Sequence, residues 1–278
     1  IGANSIGMYS ANGSVAVNEG EIELNSGSIG IYGINYFDGA TNSATLGYGT
    51  DKINIENQKD IKTVSGGVTG DAFGIFADNG LTLADSSVNL TSASNIDLKG
   101  TGNVIGAYLK KTNLTSAGTI TVESTTGGTS VGIYSVESTA ATPITGSINV
   151  SGGSGVGLFL NDSSMVNNAA ITVDNVTSGA GIYAEGTAIS STGTNTNTIS
   201  IGDNVTGMYA LGTSAANTGT VTNSGTIQSL TTSANKAIGM YIGSNGIGNN
   251  SGNIYLTAVG TNKDQVGVYN AGTFNMTG

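Results

Sequence analysis

Short apolar patterns with a period of two recur along the chain. In each, two apolar residues flank one polar residue, and Gly, Asn, Ser and Thr bound the pattern. This is the period of a β-strand, and no segment has the i, i+3, i+4, i+7 spacing of an amphipathic helix. The sequence therefore predicts an all-β fold of short strands. The pairs are Ile22/Leu24, Ile53/Ile55, Ile96/Leu98, Ile120/Val122, Ile148/Val150, Ile171/Val173, Ile199/Ile201, Ile254/Leu256 and Phe274/Met276.

A second motif, Gly followed by an aliphatic and then an aromatic residue, occurs ten times at spacings of 23 to 44 residues. Its aromatic position is occupied by Tyr9, Tyr32, Phe76, Tyr108, Tyr134, Phe159, Tyr183, Tyr209, Tyr241 and Tyr269. A unit of this size cannot bury its apolar face alone, but it can do so by stacking on the next unit.

Strands stacked in this way form a solenoid. We predict a right-handed, single-stranded parallel β-helix of about 11 turns, one per repeat, continuous over residues 1–278. The single proline, Pro143, fits this fold, because interior strands must donate ladder hydrogen bonds. The positions expected to be buried turn upon turn are Ile133, Ile148, Val150, Leu158, Ile171, Val173, Ile182, Ile199, Ile201, Met240 and Ile254.

The aromatic positions are predicted to form an outward column. Strict alternation in Val131-Gly132-Ile133-Tyr134 places Val131 and Ile133 on the core face, with Gly132 and Tyr134 outside. On this interpretation each Gly leaves room for a ring. The column either protects one sheet face or offers a platform for sugar rings or a protein partner.

Asn residues also recur at fixed offsets. In several repeats Asn is followed by Gly two residues later and by the first apolar residue two after that, as in Asn223-Gly225-Ile227 and Asn250-Gly252-Ile254. We interpret these positions as turn residues whose side chains form ladders between turns.

Composition excludes several kinds of site. The chain has no His, Cys or Trp, and all eight basic residues are lysines. A His/Cys metal site, a thiol nucleophile and a Ser-His-Asp triad are therefore impossible. The net charge of −10 argues against binding to nucleic acid, and no apolar run is long enough to insert into a membrane.

The acidic residues give no sign of an active site. Polysaccharide lyases and hydrolases need two or three converging carboxylates, whereas the 18 acids here are scattered. Glu19, Glu21 and Glu23 share one strand face and are interpreted as a solvated stripe. We predict no catalytic residue, metal site or cofactor.

The longest spacing marks residues 33–71 as an irregular turn or a side-loop insertion. One alternative is that it contains a degenerate turn around Ile53 and Ile55. The candidate partner-binding loop lies here, because aromatics beside a carboxylate suit sugar stacking or a protein hot spot. Its residues are Tyr36, Phe37, Asp38 and Tyr48. The other interpretation is that the loop only covers the flank of the β-helix.

Two stretches carry a resemblance to a known family. Asn223-Ser224-Gly225-Thr226-Ile227 followed by Gly239-Met240-Tyr241, and Ala180 to Gly186, resemble the repeats of autotransporter passenger domains of Gram-negative type V secretion. The style of repeat is most similar to the large fusobacterial outer-membrane adhesins.

The resemblance implies a function and a location, but no binding residues. It implies an adhesin shaft at the outer membrane, exposed outside the cell, and we expect this chain to be a segment of a longer passenger. The implied partners are host surface glycans, host protein receptors or the surfaces of other bacteria. Two alternatives stay open: a β-helical polysaccharide-degrading enzyme of tailspike or lyase type, and a purely structural spacer.

Overall fold

The computed structural model describes residues 1–11, 14–35, 53–80, 87–91, 93–138, 143–230, 235–257 and 264–277. Within these ranges all regular elements are strands and there is no helix, as the period-two pattern predicted. The described residues accordingly contain no helix long and apolar enough to cross a membrane.

The described residues form 28 short strands. In chain order they are β1 (Ile6–Ala11), β2 (Val15–Asn18), β3 (Ile22–Leu24), β4 (Ser28–Asn35), β5 (Asn54–Asn57), β6 (Ile61–Thr63), β7 (Ala72–Asn79), β8 (Ser87–Leu90), β9 (Ile96–Gly100), β10 (Val104–Lys110), β11 (Asn113–Ser116), β12 (Thr119–Ser124), β13 (Thr129–Val136), β14 (Ser147–Ser151), β15 (Ser154–Asn161), β16 (Ser164–Asn167), β17 (Ala170–Asp174), β18 (Ser178–Gly186), β19 (Ser191–Asn195), β20 (Thr198–Ile201), β21 (Val205–Gly212), β22 (Gly219–Asn223), β23 (Thr226–Ser229), β24 (Ile238–Ile242), β25 (Gly246–Asn250), β26 (Asn253–Tyr255), β27 (Val266–Asn270) and β28 (Thr273–Met276).

The strands form three stacked faces, and the chain visits them in the same order in each turn. Sheet 1 has ten strands, in the order β1-β4-β7-β10-β13-β15-β18-β21-β24-β27. Sheet 2 consists of two segments, β2-β5-β8-β11 and β16-β19-β22-β25-β28. Sheet 3 has nine strands, in the order β3-β6-β9-β12-β14-β17-β20-β23-β26. In the turn between the two segments of sheet 2, Ile144 forms an isolated bridge to Asn167.

All strand pairs are parallel and keep the repeat in register. Tyr9 is opposite Tyr32, and Tyr183 is opposite Tyr209. The fold is therefore the predicted parallel β-helix, with about nine complete turns between the ten strands of sheet 1. The predicted 11 turns were too many, because that number came from a typical spacing and some turns are much longer.

The predicted core is buried almost completely. Ten of its eleven residues are at most 2 % exposed; the exception, Ile254, is partly buried and packs against the core. The reason is its place on β26, the last strand of sheet 3, where no further turn covers it.

The glycine of the repeated motif faces the core, not the aromatic ring. Gly132 and Ile133 are both buried, so two successive residues point inward and the alternation is broken. A Cβ at Gly132 would overlap Ile148 Cγ2 and would lie 2.6 Å from Gly157 O. The expected outward position of Gly132 is therefore wrong. Gly132 faces inward, and the side chain of Ile148 from sheet 3 fills the space where its Cβ would be.

The residue before the motif glycine also departs from the expectation in most turns. Val131 is buried as predicted, but the equivalent Ile29, Phe73 and Val156 are only partly buried. Sheet 1 thus carries a partly exposed, mainly aliphatic column beside its aromatic one.

Asn side chains form the expected ladders between turns. In what we call the Asn ladder, Nδ2 of one residue donates to Oδ1 of the next: Asn167 to Asn195 at 3.1 Å, Asn195 to Asn223 at 2.9 Å and Asn223 to Asn250 at 2.8 Å. Asn18 and Asn57 pair in the same way at 2.7 Å. The Asn-x-Gly pattern identified only part of this ladder, because Asn167 and Asn195 have no Gly two residues later.

Part of the segment 33–71 belongs to the regular stack. Strand β5 pairs with β2 and β8, and β6 pairs with β3 and β9. Ile53 and Ile55 are buried in the core of this single turn. The remaining residues, 36–52, lie outside the described ranges.

Candidate functional site: the aromatic column and a corner ridge

The ten aromatic residues of the motif form one continuous stack on the outside of sheet 1. Neighbouring ring centroids are 4.5 to 5.7 Å apart, and neighbouring ring planes differ by 4 to 22°. The parallel register places one ring above the next, because each motif is opposite its copy in the following turn. The predicted aromatic column therefore exists over all ten repeats.

The column offers ring edges and hydroxyl groups, not ring faces. Each interior ring is stacked on both sides, so a sugar ring has no aromatic face to stack on along the shaft. The rings at the two ends of the column, Tyr9 and Tyr269, each stack on one other ring of the column instead of two. They are 53 % and 48 % exposed. This geometry favours the structural interpretation, in which each stacked pair contributes about 0.5–1.5 kcal/mol beyond burial.

Four tyrosine hydroxyls in the interior of the column are held in their neutral form. Burial, with smaller contributions from Glu185 and Tyr209, raises the pKa of Tyr183 to about 12. Burial also raises the pKa values of Tyr108, Tyr134 and Tyr209, with smaller contributions from nearby carboxylates or tyrosines. These hydroxyls can accept and donate hydrogen bonds, but they are poor candidates for general bases or nucleophiles.

Several of the acids near the sheets form ion pairs with lysines of a neighbouring turn. Lys62 lies 2.9 Å from Glu21, Lys99 lies 2.9 Å from Glu123 and Lys110 lies 3.4 Å from Asp78. Solvent screens such exposed or half-exposed pairs, so they contribute little to stability. Within the described residues no group of three or more acids is placed to hold a metal ion.

The candidate partner-binding loop belongs to the part of the chain between β4 and β5. Tyr36, Phe37, Asp38 and Tyr48 all lie outside the described residues, so their role stays a prediction from the sequence.

A second candidate surface lies at the corner between sheet 1 and sheet 2. Two successive turns have long connections here, residues 187–190 after β18 and residues 213–218 after β21. The turn before them connects β15 to β16 through residues 162–163 alone, and the last turn connects β27 to β28 through residues 271–272. The two long connections therefore form a local ridge, which we call the corner ridge.

The carboxylate of Asp162 holds the first connection of the ridge. Oδ1 accepts the amide of Thr187 at 2.6 Å and Oδ2 accepts the Thr187 hydroxyl at 2.6 Å. The amides of Ala188 and Ile189 also donate to Asp162, at 3.1 and 3.2 Å. Burial alone would raise the pKa of Asp162, but these hydrogen bonds lower it below its usual value. Sequence reasoning had treated Asp162 only as one of the scattered acids.

Contacts between turns hold the second connection to the first. The hydroxyl of Thr213 and the side-chain amide of Asn217 both donate to Thr187 O at 3.0 Å. Ser190 Oγ accepts the amide of Thr218 at 3.2 Å. The ridge is thus fixed by polar contacts, although it lacks the regular ladder of the sheets.

Replacing Asp162 with Asn should lower the free energy of unfolding by about 1.5–3 kcal/mol, the usual contribution of hydrogen bonds to a charged group. The folded pKa is lowered below the reference value of 3.8, so the stabilisation is complete above that pH and is lost as pH falls through the folded pKa. Urea unfolding of both proteins at neutral and acid pH measures the difference.

The control for this substitution is Asp97→Asn, because Asp97 is exposed on the outer face of sheet 3. Hydrogen exchange gives a local readout, and the amides of Ala188 and Ile189 should exchange faster in the Asp162 variant. Equal losses in the two variants, or a difference that does not change with pH, would contradict the assigned role of Asp162.

A shallow depression lies next to the ridge on the side of the later turns. It is formed by the connection 213–218 and by the shorter corners of the following two turns. Its volume is about 430 Å³. Its lining is uncharged and consists of Ala215, Thr218, Asn245, Gly246, Ile247, Ala271, Gly272 and Thr273. In the first connection of the ridge, Ile189 is 53 % exposed.

No family model, curated protein or solved structure matches this chain, so its function has to be inferred from the geometry described above.

Proposed function

We propose that this chain is a non-catalytic shaft segment of a bacterial surface adhesin, exposed outside the outer membrane and attaching the cell to host cells or to other bacteria. The observation that supports this most directly is the register of sheet 1, which continues through ten strands over a closed apolar core. At about 4.8 Å per strand, such a stack forms a rod roughly 45 Å long.

The surface of the rod also suits a shaft. The same aromatic position recurs at each turn on the outside of sheet 1, so most of the length offers one repeated surface. Specificity is then expected where the repeat is broken, because loops on a rigid scaffold carry most binding sites. The similarity of the repeats to autotransporter passengers supports the location and the secretion route.

The enzyme alternative has weaker support. Two acids, Asp60 and Asp97, line one surface depression of about 360 Å³ and could in principle share a site there. However, Asp60 Oδ1 already accepts the backbone and side-chain amides of Asn95, at 2.9 and 3.2 Å. This bonding gives Asp60 a role in joining two turns and leaves Asp97 as a single exposed acid.

Bead adhesion tests the proposal. Beads coated with the chain should bind to epithelial monolayers or to lawns of other bacteria in greater number than beads coated with an unrelated acidic β-helix. In parallel, the chain is incubated with a panel of polysaccharides, and we expect no release of reducing ends or unsaturated sugars.

Each contrary result selects one alternative. Binding no greater than the control on all surfaces would reject the adhesin function in favour of a spacer. Polysaccharide cleavage that Asp97→Asn abolishes would establish the enzyme alternative instead.

A further inference from the structure

We propose that the corner ridge, residues 187–190 and 213–218, is a contact site for a protein partner that offers an uncharged, apolar pocket to Ile189. The inference rests on the proposed adhesive function and names the site and the class of partner.

The exposure of Ile189 is unusual for its position. Among the described residues, most exposed large hydrophobics precede or belong to the first or last strand of a sheet, which packs against a neighbouring turn on one side only. Ile189 and Leu230 are the exceptions in interior turns, at 53 % and 38 % exposure. Ile189 is the more exposed of the two and stands on a protruding connection, so a partner can reach it.

The ridge is ordered before any partner binds. Asp162 accepts hydrogen bonds from three consecutive residues, ending with the amide of Ile189 itself. Thr213 and Asn217 secure the carbonyl of Thr187 from the next turn. A connection fixed in this way loses little conformational freedom on binding, which lowers the entropic cost of the contact.

The chemistry of the ridge indicates a protein, not a glycan or a charged ligand. Residues 186–191 and 212–219 contain no charged and no aromatic residue, although the chain carries a net charge of −10. A sugar would find no ring face to stack on, and an ionic ligand would find no counter-charge. An apolar crest with hydroxyl and amide groups around it matches the core and rim of a small protein interface.

The size of the ridge implies weak individual contacts. The two connections comprise ten residues, residues 187–190 and 213–218, fewer than the roughly 20–30 residues that each side of a standard interface contributes. An adhesin acts in many copies on a cell surface, so multivalent attachment compensates for weak single contacts.

The test compares beads coated with the unchanged chain, Ile189→Asp, Ile189→Leu and the control Ala170→Asp. Ala170 is exposed on sheet 3, so Ala170→Asp adds the same charge on another face. We expect Ile189→Asp to reduce bead binding at least about tenfold, as expected for a hot-spot residue. Ile189→Leu and Ala170→Asp should retain binding, and circular dichroism should show unchanged β structure in all four proteins.

Treatment of the target cells identifies the class of partner. Mild protease treatment should abolish the binding of unchanged beads, and periodate oxidation of glycans should leave it intact. Equal binding by Ile189→Asp and unchanged beads, or binding sensitive only to periodate, would overturn this inference and leave the adhesive function standing. Failure of unchanged beads to bind any surface would reject the proposed function and this inference with it.

Discussion

Replacing Gly181 with Ala is expected to lower the free energy of unfolding by about 3 kcal/mol, the upper part of the range for overpacking a core. A Cβ at this position would overlap Ile199 Cγ2 and would lie 2.6 Å from Gly207 O in the next turn. Ile199 is completely buried and the carbonyl belongs to the backbone of sheet 1, so neither can move aside without disturbing the stack. Urea unfolding followed by circular dichroism measures the loss.

The matched control is the same motif position in the last turn. A Cβ at Gly267 would meet no atom within 4 Å, because no further turn lies above it. Gly267→Ala should therefore change the free energy of unfolding by less than about 0.5 kcal/mol, as most surface substitutions do. If Gly181→Ala were as well tolerated as Gly267→Ala, packing would not require the glycine column, by which we mean the ten motif glycines from Gly7 to Gly267.

The glycine column shows where period-two reasoning ends. The motif alone assigns Gly132 to the outer face, because strict alternation has no way to represent two successive inward residues. The reason for the break lies in another strand, since Ile148 of sheet 3 fills the space beside Gly132. The period-two pattern of apolar residues identified the strands and most of the core. Which residues of one sheet contact those of another is visible only in the three-dimensional structure.

The corner ridge was missed for a different reason. None of its residues is charged or aromatic, and most are small, so they match no motif of binding or catalysis. The interval along the chain from the column aromatic to the following ladder Asn did carry a signal. It is 8 residues from Phe159 to Asn167 but 12 from Tyr183 to Asn195. From Tyr209 to Asn223 it is 14. These intervals could reveal the two long connections, but only once the Asn ladder was known to keep one register.

Replacing Asn195 with Asp should have a still larger effect at neutral pH, with an expected loss of about 3–5 kcal/mol, as for an uncompensated buried charge. Asn195 is fully buried and donates to Asn223 Oδ1 at 2.9 Å and to Asn197 O at 2.8 Å. A carboxylate cannot donate, so both acceptors would face a negative charge. Asn149→Asp is the control, because Asn149 is only partly buried on the outer face of sheet 3.

The carboxyl introduced by Asn195→Asp should destabilise the fold most at neutral pH, whereas the native carboxyl of Asp162 stabilises it most there. Burial raises the folded pKa of the new carboxyl above its unfolded value of about 3.9, so the folded state binds more protons. The destabilisation is therefore complete above the folded pKa and shrinks as pH falls, because the protonated carboxyl can again donate to Asn223 Oδ1. Hydrogen exchange of the neighbouring turns, measured over a pH series, gives a local readout that is suited to a repeat protein whose turns unfold in part independently. A loss that is constant over this series, or equal to that of Asn149→Asp, would show that the Asn ladder contributes shape but no specific hydrogen bonding to the stack.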